Sequence, residues 1–491
     1  MSRDGSGDSM RRWMPTFALV LALLGPSRVA ADDLAEMNAV SRAWDRYALL
    51  SSRDDPAAAD LLAASSLRHY GFLRDAALYA SPEQLRRLPL VDRVLAYTLR
   101  GGLDADALAA LDEAAVARRC LREGWCGVAA PEEGATLPQL SHVTLLDGGR
   151  AVGELAPPTG SQFQFGPEFA REGGAWKVRT ESTVPDESAR LQRQIAQTGV
   201  PEADLLQQIV AGLLGADPAP ALAVLDRPLR DDPAARTRLN ETWPRYEQAY
   251  RARIEALRRK AEDGDGLAMY GLGALLYSGA LPAVAPQDQA GGLAWLERAS
   301  DAGHAPAAAL VLEALSRDQR PPRGQAPSPE FVARLARHAR RAAEGGNGPA
   351  MAEYGSLLFN GAGGLARDCR QAEEWSARAE DAGVPTARND RVWFLATCPI
   401  AAQRDPHRAL ALAGHLIANA DTLRFAELDT IAAALAANGR YDEAAGYQQR
   451  ALDALPEEAA ALRPRLQRRL QDYRAGRDWV QDFDTYAEPM P

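Results

Sequence analysis

The sequence predicts an α+β domain followed by an α-helical solenoid, and two patterns carry that prediction. Between residues 261 and 387, a short motif of helix-forming residues occurs four times, each copy marked by a glycine. Spacings of 39, 43 and 37 residues separate these landmarks, which are Gly264, Gly303, Gly346 and Gly383. A period of roughly 40 residues is typical of stacked helical hairpins. Ahead of the array, residues 142–179 contain short apolar runs and glycine turns, which predict antiparallel strands.

The first 31 residues have the organisation of a secretory signal. Arg11 and Arg12 precede an apolar run at 17–24, and small residues end the segment at Ala31. A basic start, a short apolar run and a small-residue exit predict cleavage after Ala31 and export of the chain. The run is shorter than the ~20 apolar residues that cross a bilayer, and no later run is long enough, so we expect no membrane span. The mature protein is expected in the periplasm or secreted.

Composition and charge exclude some classes of partner. The chain carries 56 Lys and Arg against 66 Asp and Glu, which gives a formal net charge of -10. An acidic chain without basic runs argues against nucleic acid or an anionic membrane as the main partner. The hydrophobic content of 46%, with 25% charged residues, is that of a soluble globular protein.

Residues 32–184 are predicted to form the α+β domain. Helical periodicity covers 33–50, with Met37, Val40 and Trp44 near one stripe. Aspartate, serine and proline signals predict three further helix starts, at Asp54-Asp55-Pro56, Ser81-Pro82 and Pro89. Strand patterns follow at 142–146, 151–155, 163–165 and 175–179. Helices followed by a curled antiparallel sheet predict a compact two-layer domain.

Two segments of this domain resemble a known family. The stretches "TLLDGGRAVGEL" and "FQFGPEFAREGGAWKV", placed after the helices, are similar to cone-shaped domains of the nuclear-transport-factor-two-like kind. Such folds include small-molecule enzymes, ligand-binding pockets and dimerisation modules, so the resemblance leaves function open. Phe163, Phe165 and Trp176 are candidate pocket residues, and the alternative that they form the ordinary core stays open.

The rest of the chain is predicted to be helical. Residues 185–250 form a helical connector, residues 251–478 a solenoid with a C-terminal cap, and residues 479–491 a tail. Pro244 is predicted to begin the long helix that leads into the repeats, because proline suits a first helical turn. A capping helix at 458–474 is expected, since solenoids need one at an exposed end.

The first and third repeat units share a residue pattern. Four features of the first unit recur in the third: Ala268-Met269 as Ala350-Met351, Gly279 as Gly361, Asp288 as Asp368 and Trp295 as Trp375. The units "AEDGDGLAMYGLGALLYSG" and "AEYGSLLFNGAGGLARDCRQAEEWSARAEDAG" resemble the Sel-like repeat family, and residues 426–456 resemble an ordinary tetratricopeptide repeat. The resemblance implies helical hairpins. The middle unit, 305–343, is a degenerate copy of the repeat pattern.

The cysteines test this assignment of helices to repeat units. An even number in an exported chain suggests disulfides, and nearest-neighbour pairing gives Cys120–Cys126 and Cys369–Cys398. Cys369 begins the second helix of the third unit, and Cys398 ends the first helix of the next unit. Because consecutive helices run antiparallel, the start of one lies beside the end of the next. The repeat register therefore predicts the Cys369–Cys398 bridge independently.

No pattern for a catalytic, cofactor-binding or metal site emerges. Gly271-Leu272-Gly273 lies inside a predicted helix and follows no strand, and the six histidines are scattered. The sequence therefore predicts a non-enzymatic protein that binds a protein or peptide partner on the concave face of its solenoid. The alternative is small-molecule binding or catalysis in the α+β domain, with the repeats as support.

Overall fold

The structure is a computed structural model that describes residues 31–131, 135–155, 166–216, 220–317, 319, 321–322 and 325–487. The predicted signal segment, apart from Ala31, lies outside these residues, and so do Phe163 and Phe165. Within the described part of the chain, no helix is both long and apolar enough to cross a membrane.

Six helices begin the α+β domain: α1 (Ala31–Ser51), α2 (Ala64–Tyr79), α3 (Pro82–Arg86), α4 (Leu90–Gly102), α5 (Ala105–Ala109) and α6 (Glu113–Arg122). Two of the three predicted start signals act as side-chain caps, whereas Pro89 precedes α4 without a side-chain cap. The Asp55 side chain accepts a hydrogen bond from the Ala57 N–H at 2.9 Å, at the start of a short 3₁₀ turn. Ser81 and Gln84 form a reciprocal capping box at α3, which satisfies two free N–H groups.

A four-stranded antiparallel sheet follows: β1 (Leu140–Leu146), β2 (Arg150–Leu155), β3 (Glu168–Glu172) and β4 (Ala175–Arg179). The strands pair in chain order, and Gly148-Gly149 and Gly173-Gly174 make the two tight turns with positive φ angles. Phe169 is fully buried and pairs with Ala151 on one side and Val178 on the other. This apolar face packs against α1 and α2, which forms the core of the domain.

Connector helices link the two halves: α7 (Val184–Thr198), α8 (Glu202–Leu214), α9 (Leu222–Leu225) and α10 (Pro233–Glu262). The predicted start of the long helix at Pro244 is wrong. Asp232 caps α10 through the Ala235 N–H at 3.0 Å and Pro233 occupies its first turn, so Pro244 lies inside an established helix. Trp243 on α10 packs into the α+β core, whereas Ile254 packs into the solenoid core, so one helix joins both.

Five helical hairpins and a cap complete the chain: α11 (Gly266–Ser278) with α12 (Gln289–Asp301), α13 (Ala305–Arg317) with α14 (Pro329–Glu344), α15 (Gly348–Asn360) with α16 (Cys369–Asp381), α17 (Ala387–Thr397) with α18 (Pro406–Ala418), α19 (Phe425–Ala437) with α20 (Tyr441–Asp453), and α21 (Arg463–Arg474). Consecutive helices pack on one another throughout. The predicted fold class, an α+β domain followed by an α-helical solenoid, is confirmed.

Glycine marks the repeats for two physical reasons. The landmark glycines adopt left-handed φ angles of 81° to 96°, which a residue with a Cβ rarely adopts, and they end a helix at each turn. A Cβ on Gly292 would lie 2.5 Å from the backbone nitrogen of Tyr277, so glycine allows α11 and α12 to approach closely.

The cysteine predictions have different outcomes. Cys369 and Cys398 form a disulfide that joins the first residue of α16 to the residue after α17, with Cα atoms 6.2 Å apart, so this prediction is confirmed. The predicted Cys120–Cys126 bridge is absent, because both residues are free thiols. A hydrogen bond with Cys126, together with burial, raises the pKa of the Cys120 thiol well above its ordinary value. The thiolate that disulfide formation requires is therefore disfavoured.

Candidate functional site

The α+β domain contains a cavity of about 730 Å³, whose wall comes from α1, α2, α4, α7 and the sheet. Four aromatic side chains line it: Trp44 and Tyr47 on α1, Tyr70 on α2, and Trp125 just after α6. Ligand-binding cavities in proteins measure about 300–1,000 Å³ and are lined mainly by apolar and aromatic groups. In size and lining, this cavity therefore fits a small organic ligand.

The aromatic wall is held in place by the surrounding backbone. The Trp44 indole N–H donates to the Pro138 carbonyl at 2.7 Å, and the Trp125 indole N–H donates to the Leu213 carbonyl at 3.0 Å. Burial raises the pKa values of the Tyr47 and Tyr70 phenols well above normal, so both are neutral. With both indole N–H groups engaged, Trp44 and Trp125 offer a ligand mainly their ring surfaces.

A buried polar cluster forms part of the cavity wall around Asp92 of α4. His69 Nε2 lies 2.9 Å from one Asp92 carboxylate oxygen, and the hydroxyls of Tyr246 and Tyr250 on α10 donate to the other. Burial alone would lower the pKa of His69, but the charge of Asp92 and its hydrogen bond outweigh burial and raise it. The cluster ties α2, α4 and α10 together beneath the cavity.

The α7 side of the cavity is acidic. Asp186, Glu187 and the exposed Arg190 all lie on α7, and Glu181 precedes it. Glu181 accepts from the Ser66 hydroxyl at 2.6 Å and from Arg179 at 3.1 Å. Burial opposes ionisation of Glu181, yet these two partners lower its pKa.

Of the three residues predicted to line a pocket, the one that the structure describes, Trp176, is not part of the cavity wall. Trp176 on β4 is 8% exposed, and its indole donates to Glu36 at 2.7 Å rather than facing the cavity. Phe163 and Phe165 lie outside the described residues. The aromatic and Asp92 groups were missed because they come from four separate segments, and no local spacing links them.

A second candidate site lies on the solenoid, in a groove between the first helices of two neighbouring hairpins. This first-helix groove is formed by α15 and α17, and the tail segment (residues 479–487) occupies it. Backbone groups of alternate tail residues are bound by the groove: the Gln481 N–H by the Thr397 carbonyl at 2.8 Å, the Gln481 and Phe483 carbonyls by Arg367 at 3.1 and 3.2 Å, and the Thr485 N–H by Asn360 at 3.0 Å. The groove thus binds the backbone at residues 481, 483 and 485, and a 3₁₀ turn at Thr485–Ala487 ends the described tail.

Side chains of the tail add contacts of their own. Gln481 is 4% exposed and exchanges hydrogen bonds with Trp393 and Asn360 at 2.9 Å each. The ring of Trp479 packs on Trp393, with centroids 5.5 Å apart, and the Tyr486 hydroxyl donates to Glu353 at 2.8 Å. The groove therefore combines backbone contacts with pockets for particular side chains.

The neighbouring part of the first-helix surface is also covered by the chain itself. Helix α7 packs on α11, and Gln197 near its end donates to Glu313 of α13 at 2.7 Å. Segments from both flanking parts of the chain thus lie on first helices of the hairpins.

One carboxyl group of the groove gives a testable pH dependence. Burial raises the pKa of Asp390 on α17 to about 6; a hydrogen bond with Asn389 opposes this shift and the charge of Glu353 adds to it. This pKa lies above the unfolded value of about 3.9, so the folded protein binds the Asp390 proton more tightly than the unfolded chain does. The contribution of this proton to the free energy of unfolding is full below pH ~4 and is lost as pH rises through ~6.

Asp390→Asn should therefore raise the melting temperature at pH 7.5 and should raise it less at pH 4.5. The measurement is thermal unfolding of both proteins, followed by circular dichroism at the two pH values. Asp381→Asn, at an exposed position on α16, is the control. An equal gain at both pH values would contradict the assigned titration.

The described residues contain no group of three or more His, Cys, Asp or Glu side chains placed to hold a metal ion. His407 and His415, the two histidines that share a helix, are exposed on α18.

The hairpins and the groove define a helical-repeat solenoid protein with an α+β domain on its N-terminal side. A Sel1 repeat protein from Oxalobacter formigenes is similar in structure, with a TM-score of 0.28 and 19% sequence identity, over 45% of this chain and 86% of that one. A protective antigen of uropathogenic Escherichia coli strains with an SLR fold is also similar, with a TM-score of 0.28 and 15% identity, over 60% of this chain and 62% of that one.

No protein-family model and no curated protein sequence matches the chain. The two structural likenesses concern the fold alone. The resemblance of residues 32–184 to nuclear-transport-factor-two-like domains stays a prediction.

Proposed function

We propose that this protein is exported and acts by binding a peptide segment of a partner protein along the concave face of its solenoid. The observation that carries the proposal is the tail segment in the first-helix groove. Its backbone is bound at alternate residues by Thr397, Arg367 and Asn360. Backbone-directed hydrogen bonds supply affinity for any extended chain, and side-chain pockets then select the sequence.

The pockets suggest what the partner segment contains. The Trp479 ring packs against Trp393 and Arg469, with the Arg469 guanidinium 4.8 Å from the ring centre. The Tyr486 hydroxyl donates a hydrogen bond to Glu353. A partner peptide should therefore carry aromatic residues at similar spacing. On this proposal the tail is an intramolecular occupant that a partner replaces, and the role of the groove is binding and not catalysis.

Two features support export. The first 31 residues have the signal pattern described above, and the Cys369–Cys398 disulfide suits an oxidising compartment. The periplasm or the extracellular space is the proposed location.

Removing the tail should open the groove to a peptide added in solution. A chain ending at Asp478 should bind a synthetic peptide of residues 479–487, and binding should raise its melting temperature, because a ligand stabilises the state that it binds. The full-length chain, whose groove is filled, should show little change. Thermal unfolding and isothermal titration calorimetry measure both effects.

Asn360→Ala in the shortened chain is the matched variant. It removes the acceptor for the Thr485 N–H, the Thr485 hydroxyl and the Gln481 amide, so peptide affinity should fall about tenfold or more. A scrambled peptide of the same composition is the second control. No binding to a folded shortened chain would rule out the groove as a peptide site, and equal binding of the scrambled peptide would rule out selection by the side-chain pockets.

A further inference from the structure

We propose that the cavity of the α+β domain is a binding site for an organic ammonium cation, such as the trimethylammonium head of a choline-like molecule. This site is separate from the first-helix groove and does not depend on the function proposed for it. The inference combines the cavity's volume of about 730 Å³, its aromatic wall and the charges of its lining.

The negative charge of the lining argues against an anionic ligand. Four carboxylates line the described wall, whereas its cationic side chains are His69 and Arg190. Asp92 is paired with His69, and Glu181 with Arg179 behind the wall. An anionic ligand would enter a cavity with excess negative charge, which would repel it.

Glu187 is the carboxylate best placed to meet a cation. It is half-buried on α7, and the Thr183 hydroxyl donates to one of its oxygens at 2.8 Å. In the described part of the chain, no arginine or lysine forms an ion pair with Glu187. A ligand cation would supply the missing positive charge at this point of the wall.

The aromatic wall fits the same class of ligand. Trp44, Tyr47, Tyr70 and Trp125 converge on the cavity, and ring faces attract cations through their negative electrostatic surface. A quaternary ammonium has no N–H donor, so it needs aromatic faces and a nearby carboxylate rather than hydrogen-bond acceptors. The wall supplies four aromatic rings and the Glu187 carboxylate, and the rest of the volume leaves room for an apolar body.

The test compares three probes of one shape and different charge on the full-length protein. They are choline, its neutral isostere with a tert-butyl group in place of trimethylammonium, and the anion tert-butylacetate. Choline should raise the melting temperature, quench tryptophan fluorescence and bind about tenfold or more tightly than the neutral isostere. Tert-butylacetate should not bind. Calorimetric titration supplies the dissociation constants.

The Glu187→Gln variant tests whether choline binds in the cavity. The variant keeps the side-chain size and should weaken choline about fivefold while leaving the weak binding of the neutral isostere unchanged. Glu374→Gln, exposed on α16 far along the chain, is the control and should bind choline like the wild type. The proposal is overturned if the neutral isostere or the anion binds as well as choline, if choline does not bind at millimolar concentration, or if Glu187→Gln has no effect.

Discussion

Replacing Arg100 with Met should destabilise the protein by about 4 kcal/mol or more, since several buried acceptors lose a charged donor at once. Arg100 on α4 is 5% exposed. Its guanidinium donates to four backbone carbonyls, those of Ala76 at 3.1 Å and of Ala77, Ala80 and Leu225 at 2.7 Å each. Burial lowers its pKa to about 10, so the group stays charged at neutral pH.

These contacts explain the size of the effect. The Ala76 carbonyl at the end of α2 already accepts from the Ala80 N–H and shares the guanidinium as a second donor. The planar guanidinium also binds the carbonyls of Ala77 in the last turn of α2, of Ala80 just after it and of Leu225 at the end of α9. Methionine fills much of the volume but donates nothing, so the Ala77, Ala80 and Leu225 carbonyls lose their side-chain donor in a buried environment, whereas Ala76 keeps the Ala80 N–H.

Chemical denaturation followed by circular dichroism measures the change. Arg100→Lys should fall between wild type and Arg100→Met, because an ammonium keeps the charge but not the planar fork. Arg86→Met, at an exposed position on α3, is the control and should cost little. If Arg100→Met cost no more than the control, the four hydrogen bonds would contribute nothing net.

Removing the Cys369–Cys398 disulfide should cost about 3–4 kcal/mol. The bridge spans 29 residues, and a cross-link of this length removes that much conformational freedom from the unfolded chain. The physical effect should be centred on the third and fourth hairpins, because the bridge joins α16 to the end of α17. The double variant Cys369→Ser, Cys398→Ser tests it by denaturation.

Because Cys120 and Cys126 are free thiols, a reductant should act on the Cys369–Cys398 disulfide alone. Dithiothreitol should lower the denaturation midpoint of the wild type to that of the double variant and should leave the variant unchanged. Thiol titration of the unfolded wild type should find two reactive groups, Cys120 and Cys126. A reductant effect that persists in the double variant would mean that Cys120 and Cys126 also form a bond in solution.

Helix ends and repeats could be predicted because their causes are local. Asp288 and Asp368 each cap the helix that follows, since a carboxylate three residues from an N–H reaches it regardless of the rest of the chain. Residues 426–456, which resemble a tetratricopeptide repeat, fold as the hairpin of α19 and α20, and Asn438-Gly439-Arg440 forms the turn between them. The disulfide was predictable for the same reason, because helix register alone brings Cys369 and Cys398 together.

Other features could not be predicted because several signals compete or no signal exists. Pro244 has the pattern of a helix start, but the helix begins at the Asp232 cap, twelve residues earlier. Cys120 and Cys126 are near in sequence, yet both are free thiols, and a hydrogen bond with Cys126 together with burial raises the pKa of Cys120. The tail carries no periodicity, so its binding to Asn360 and Arg367 had no signature in the sequence.

The sequence by itself determined the solenoid, its period and the Cys369–Cys398 disulfide, since each follows from contacts between residues that are close along the chain. Only the tertiary structure decided both candidate sites. The cavity brings together Trp44, His69, Asp92 and Glu187, and the groove joins α15 to a segment about 120 residues later. Such contacts depend on how whole elements pack, because the free energy of burial depends on the area removed from water and not on sequence spacing.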